Sequence, residues 1–177
     1  KPAINGAVNL FDDKTGQLSA VIDFHLVTKW KTAGDSILAA KLLARPNSQN
    51  ILILGAGTVA FSLRQAYEDL FPNAHFSVWN RTSERAEKFA AKFPNTMAVN
   101  DLEEAISAAD IISAATMSSE PFINGKWLKP GQHIDLIGAY RPDMREADDT
   151  TLKRSTIFVD SFETTIDHIG ELKIPIA

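Results

Sequence analysis

From Asn50 onward the apolar positions alternate between two rhythms. Short, nearly unbroken apolar runs recur at residues 51–54 (ILIL), 75–79 (HFSVW), 97–99 (MAV), 111–115 (IISAA), 134–137 (IDLI) and 156–159 (TIFV). Their length suits strands, and the continuous character of Ile51-Leu52-Ile53-Leu54 marks a parallel strand buried on both faces. Between the runs, residues 58–71, 83–93 and 101–108 carry helical periodicity, with Thr82 or Ser83 and Asn100 or Asp101 as N-caps. Six short strands interleaved with helices predict an α/β, doubly wound parallel sheet of the Rossmann type.

The first fifty residues read differently. Ala7–Phe11 and Leu18–Ile22 flank the turn-rich Asp12-Asp13-Lys14-Thr15-Gly16, which predicts a hairpin. An isolated hairpin is marginal in water, so this one must dock on something. Residues 28–44 follow as a helix with Ala33, Ile37, Ala40 and Leu43 on one stripe, stopped by Pro46-Asn47-Ser48.

Composition narrows the classes. With 177 residues, 45% hydrophobic and 23% charged, the chain is one globular domain with a small appendage, not a disordered or low-complexity segment. No apolar run approaches the roughly 18 residues of a membrane span. Eighteen Lys and Arg against 22 Asp and Glu, without a basic block, give nucleic-acid binding no footing. The absence of cysteine excludes disulfides, thiolate catalysis and Cys-type zinc sites. Nothing resembles a targeting peptide, so the default expectation is the cytoplasm. The chain opens at Lys1 directly into patterned sequence, and the expectation is that an upstream part of the natural protein precedes it.

The chemistry concentrates at strand ends. Gly55-Ala56-Gly57-Thr58-Val59-Ala60 follows a buried strand and opens a helix, the context that a G-x-G-x-x-A dinucleotide motif requires. Gly55 permits the tight turn, Gly57 lets the backbone approach a pyrophosphate, and Ala60 allows close packing of helix on strand. The plainer alternative is a turn with small residues for packing alone. After the next strand comes Asn80-Arg81-Thr82, where NAD-preferring sites carry an acidic residue for the ribose 2′-OH. A guanidinium there suits a 2′-phosphate, with Arg85 one turn on as a second positive charge. The reading is NADP(H), with NAD(H) possible and a solvated helix start as the competing explanation.

Other catalytic schemes lack their parts. His25, His75, His133 and His168 form no i,i+4 pair, and no G-x-S-x-G elbow occurs. Tyr67 and Tyr140 lack a lysine four residues later, and Asp148-Asp149 reads as an acidic helix start.

Taken together, the LFDDKTG hairpin, TKWKTAGDSILAAK, GAGTVA, WNRTSERAEKFA, SSEPFINGKWLKPGQHIDLIGA and RPDMREADD resemble the ornithine cyclodeaminase/mu-crystallin family from about Gly6 to Asp160. That resemblance implies a Rossmann domain plus a second domain that dimerises and helps bind substrate. Residues 1–27 would then be a hairpin fragment of the substrate and dimerisation domain, 28–48 a connecting helix, 49–162 the NAD(P)-binding domain and 163–177 the start of a return to the second domain. It places Ala56, Gly57, Thr58 and Val59 at the pyrophosphate, and Asn80, Arg81, Thr82 and Arg85 around the adenosine end. Thr116, Met117 and Ser119, with Ile137, Gly138 and Ala139, would line the nicotinamide.

Two departures refine the expectation. Where the family has Arg in an RTAA segment for a substrate carboxylate, this chain has Lys31, which keeps the charge and loses the bidentate fork. The ordinary alternative for Lys31 is a solvated helix residue. Where cyclodeaminases carry Gly-Gly-Asp, this chain reads Gly138-Ala139-Tyr140, so the acid/base carboxylate is missing. The resemblance is to the imine-reductase members, which reduce Δ1-pyrroline-2-carboxylate or Δ1-piperideine-2-carboxylate to proline or pipecolate. It implies a small imino or amino acid substrate, a homodimer and a proton donor upstream of Lys1. The alternatives within the family are ornithine cyclodeaminase, alanine dehydrogenase and an NADP-binding protein without useful turnover.

Overall fold

The computed structural model describes residues 6–176, so residues 1–5 and 177 of the terminal segments lie outside it. Strands β1 (Ala7–Phe11) and β2 (Leu18–Asp23) form an antiparallel ribbon. Its loop is closed by Asp12, whose Oδ1 accepts from the N–H groups of Lys14 and Thr15 and the Thr15 hydroxyl. Helix α1 (Phe24–Leu43) begins four residues before the expected Thr28 because Asp23 caps it, accepting from the backbone of His25 and Leu26. Its buried stripe is Ala33, Ser36 and Ala40, whereas Leu43 at its end is exposed.

The main sheet contains β3 (Asn50–Leu54), β4 (His75–Trp79), β5 (Thr96–Ala98), β6 (Ile111–Ala114) and β7 (His133–Leu136), ordered β5-β4-β3-β6-β7 and parallel throughout. Helices α2 (Thr58–Leu70), α3 (Ser83–Ala90) and α4 (Leu102–Ala108) are the crossovers, followed by α5 (Asp149–Lys153), α6 (Phe162–Thr165) and α7 (Gly170–Ile176). Alternate residues of β3 enter different cores. Ile51 and Ile53 pack with Ala33, Leu63, Tyr67, Val78 and Phe89, whereas Leu52 and Leu54 pack with Ile106, Ile112, Ile123 and Leu128. Burial on both faces is what made that run continuously apolar.

Two expectations are corrected. The helix from Ser83 stops at Ala90, and residues 91–93 turn toward Pro94 and the left-handed Asn95 (φ 53°). Residues 156–159 form no strand: Ile157 and Phe158 are 48% and 64% exposed, and β7 pairs with β6 alone. Extended, β-branched sequence is insufficient without a ladder partner. Just upstream, Arg154 donates to the carbonyls of Gly125 and Leu128 and fixes the end of α5 there. The sheet therefore has five strands where six were expected. Among the described residues no helix is long and apolar enough to cross a membrane.

Ala60 is fully buried in the core between α2 and the sheet. Ala60→Leu should lower stability by about 1–3 kcal/mol through overpacking, read as a lower urea midpoint with unchanged slope; an unchanged midpoint would mean that the site has slack.

Candidate functional site

Parallel register brings Leu54, Trp79, Ala114 and Leu136 to one edge of the sheet. The residues just beyond them continue the alignment: Gly55 N donates to Trp79 O (2.8 Å), Ala115 N to Leu54 O (2.9 Å) and Ile137 N to Ala114 O (3.0 Å). Helix α2 starts here, where the chain order of strands reverses around β3, the place where open α/β sheets hold ligands.

Gly55 has φ +110°, and a Cβ there would lie 3.0 Å from the Ala115 carbonyl oxygen. Gly57 is different: a Cβ there would meet nothing within 4 Å. It occupies the N-cap of α2 and supplies no side-chain hydrogen bond, so the first N–H groups of the helix face open space. Ala56 and Val59 are half-buried and Thr58 is exposed. Donors, space and helix dipole together suit a phosphate group.

On the neighbouring strand end, Asn80 Nδ2 donates to Thr82 O (3.0 Å), shaping the turn into α3. Thr82 is the N-cap of α3 without a side-chain capping bond. Arg81 and Arg85 are exposed, and neither belongs to the ion pairs found among the described residues. Two free guanidinium groups here can take a further phosphate.

Beyond β6, Thr116 is half-buried, Met117 is 76% exposed and Ser119 is exposed. Beyond β7, Ile137 and Gly138 are half-buried and Ala139 is buried. Glu146, which the sequence reading did not single out, connects these two segments. Its Oε1 accepts from Thr116 N (2.7 Å) and Thr116 Oγ1 (2.6 Å), and its Oε2 from Gly138 N (2.9 Å). Glu171 of α7 in turn accepts from Glu146 N (2.7 Å) and Ala147 N (3.0 Å).

Lys31 lies on α1 with 71% of its side chain exposed, and its Nζ is 3.8 Å from Asp35 Oδ2. Tyr140 is exposed beside Arg141. Asp148 caps α5 through Thr151 N and Asp149 occupies its first turn, as an acidic helix start should. Among the described residues no group of three His, Cys, Asp or Glu could hold a metal.

This fold, with its open helix N-terminus at the strand-order reversal, defines a Rossmann-type α/β domain. The sequence profile of the ornithine cyclodeaminase/mu-crystallin family matches residues 2–175, and the chain belongs to that family. It is 50% identical over 181 residues to a Delta(1)-pyrroline-2-carboxylate reductase of Paracoccus denitrificans, covering 99% of this chain and 57% of that protein. The solved Delta(1)-pyrroline-2-carboxylate reductase of Thermococcus litoralis, in complex with NADH and L-proline, superposes with a TM-score of 0.90 at 31% identity over 96% of this chain and 54% of its own. A dimeric archaeal alanine dehydrogenase with bound NAD gives 0.91 at 30% identity over 99% and 55%. The chain spans about half the length of the relatives it matches.

Burial pushes the Glu146 carboxyl up from 4.5 to about 7, against the hydrogen bonds from Thr116 and Gly138, and Glu171 adds repulsion. Burial likewise raises Asp135, which accepts from Ser113 (2.7 Å), and Glu171. A folded state that holds these protons more tightly than the unfolded chain is favoured at low pH, and that stability is lost as pH rises through about 7 for Glu146. His133, lowered by burial, opposes this only as pH falls below about 6.5. The thermal midpoint should therefore fall between about pH 6.5 and about pH 8, less steeply in Glu146→Gln. Calorimetry showing equal slopes for both proteins would contradict the assignment.

Proposed function

We propose that this chain is the cofactor-binding part of an NADP(H)-dependent reductase of small cyclic imine carboxylates, taking Δ1-pyrroline-2-carboxylate or Δ1-piperideine-2-carboxylate to proline or pipecolate. The observation that carries the reading is 50% identity to the Paracoccus denitrificans reductase along 99% of this chain. The strand-edge geometry supports it independently of the name.

In this reading the N–H groups beyond Gly57 hold the pyrophosphate, with Gly55, Ala56, Thr58 and Val59 shaping the turn. Arg81 and Arg85, with Asn80 and Thr82, hold the adenosine end. The reductase and dehydrogenase structures above contain NADH and NAD, so the preference for a 2′-phosphate rests on these two guanidinium groups alone. Thr116, Met117, Ser119, Ile137, Gly138 and Ala139 form the wall on the nicotinamide side.

When bound, the cofactor supplies a hydride to the C=N carbon. The chain's own contribution is orientation and electrostatics. Lys31 is the partner of the substrate carboxylate, a role that requires it to leave Asp35. The proton for the imine nitrogen comes from the second domain implied by the family resemblance. The same reading includes a homodimer formed through that domain, in the cytoplasm. Leu10, Phe11, Leu18 and Val21 of the exposed hairpin are the apolar surface available to it. Tyr140 replaces the cyclodeaminase carboxylate, and a phenol is a poor base at neutral pH.

Steady-state assays of the full-length protein should show reduction of Δ1-pyrroline-2-carboxylate with NADPH and no conversion of ornithine to proline. Comparable kcat/KM for ornithine, or for pyruvate plus ammonia, would overturn the assignment in favour of a cyclodeaminase or an alanine dehydrogenase.

Arg81→Ala should weaken NADPH binding roughly ten- to a hundredfold, from loss of a charged hydrogen bond, and spare NADH. Equal losses in a fluorescence titration would make Arg81 a scaffold residue. Lys31→Ala should raise KM for the imine with NADPH affinity unchanged, and Lys31→Arg should be milder. An unchanged imine KM would remove Lys31 from the site.

A further inference from the structure

The two segments that line the nicotinamide side lie just past the paired part of the sheet, whose β6–β7 register ends at Ala114 and Leu136. What joins them beyond that point is one fully buried carboxylate. Glu146 reaches Thr116 through Oε1 and Gly138 through Oε2, three hydrogen bonds of 2.6–2.9 Å. The joint leaves no slack. A Cβ on Gly138 would lie 2.1 Å from the Thr116 carbonyl oxygen and 2.4 Å from Glu146 Oε1.

We propose that Glu146 is a positioning residue of the cofactor site: its carboxylate spans the loops after β6 and β7 and sets where Thr116 and Gly138 stand against the nicotinamide ring. This role rests on the reductase reading above. All three groups facing the carboxylate are donors, so the site calls for a group that only accepts. A glutamine offers one oxygen, and its NH2 would face another N–H.

The charged group facing Glu146 is Glu171 of α7, which accepts from the Glu146 and Ala147 backbone and lies near Arg145, itself paired with Asp149. The loops after β6 and β7 present the uncharged Thr116 and Gly138.

Full-length wild type, Glu146→Gln and Glu146→Asp should be compared by amide hydrogen exchange without cofactor, by NADPH titration and by imine kinetics. In wild type, the peptides containing Thr116 and Gly138, corrected for intrinsic exchange, should be protected at neutral pH. Glu146→Gln should lose that protection, and its kcat should fall about ten- to a hundredfold from misplacement of the reacting groups. Its imine KM should stay within about threefold. Glu146→Asp, which keeps the acceptors on a shorter arm, should recover part of the protection. Wild-type protection and kcat in Glu146→Gln would overturn the role, as would protection lost evenly across β3 to β7. Wild type that binds neither NADPH nor NADH overturns the reductase reading together with this role. Normal NADPH binding and turnover with an unaffected Glu146→Gln overturns this role alone.

Discussion

Close approach of backbone to backbone at the ends of neighbouring strands governs this domain. At Gly55 the chain turns against the Ala115 carbonyl, and at Gly138 it presses on Thr116. Side chains cannot fill such joints, so polar backbone groups there must be satisfied by something that reaches in. Glu146 does so from a loop. Removing a carboxylate from water costs several kcal/mol, and hydrogen bonds to a charged group return about 1.5–3 kcal/mol each. The rise of the Glu146 carboxyl to about 7 shows that, at this site, burial outweighs the three bonds.

A second consequence concerns what is generic and what is particular. The open N-terminus of α2 and the strand order belong to the architecture and would serve many dinucleotide enzymes, so they do not choose a reaction. In the proposed reading the choice falls to side chains that the architecture merely presents: Arg81 and Arg85 at one end, Tyr140 beyond Ala139 at the other. Lys31 is exposed on α1 beside Asp35.

Legibility from sequence followed the range of the interactions involved. The run Ile51–Leu54 and the turn Gly55–Ala60 are local signals, with both faces of the strand buried and small residues where helix meets strand. The Asp23 cap is invisible to periodicity, because hairpin and helix run together without a loop. Residues 156–159 show the converse. Their propensity is that of a strand, and ladder pairing is a tertiary fact that propensity does not contain. Glu146 was hidden for a similar reason. It sits in irregular chain, 30 residues from Thr116 and 8 from Gly138, with no period to mark it. The one available clue was an acidic residue between Met144 and Ala147 in a motif otherwise read for its aspartates.

The most direct measurement is isotopic. Full-length protein incubated with NADPH deuterated at the transferable C4 position and Δ1-pyrroline-2-carboxylate should yield proline carrying one deuterium at C2. Proline without deuterium, or no proline at all while NADPH remains bound, would contradict hydride delivery from this domain to an imine carbon.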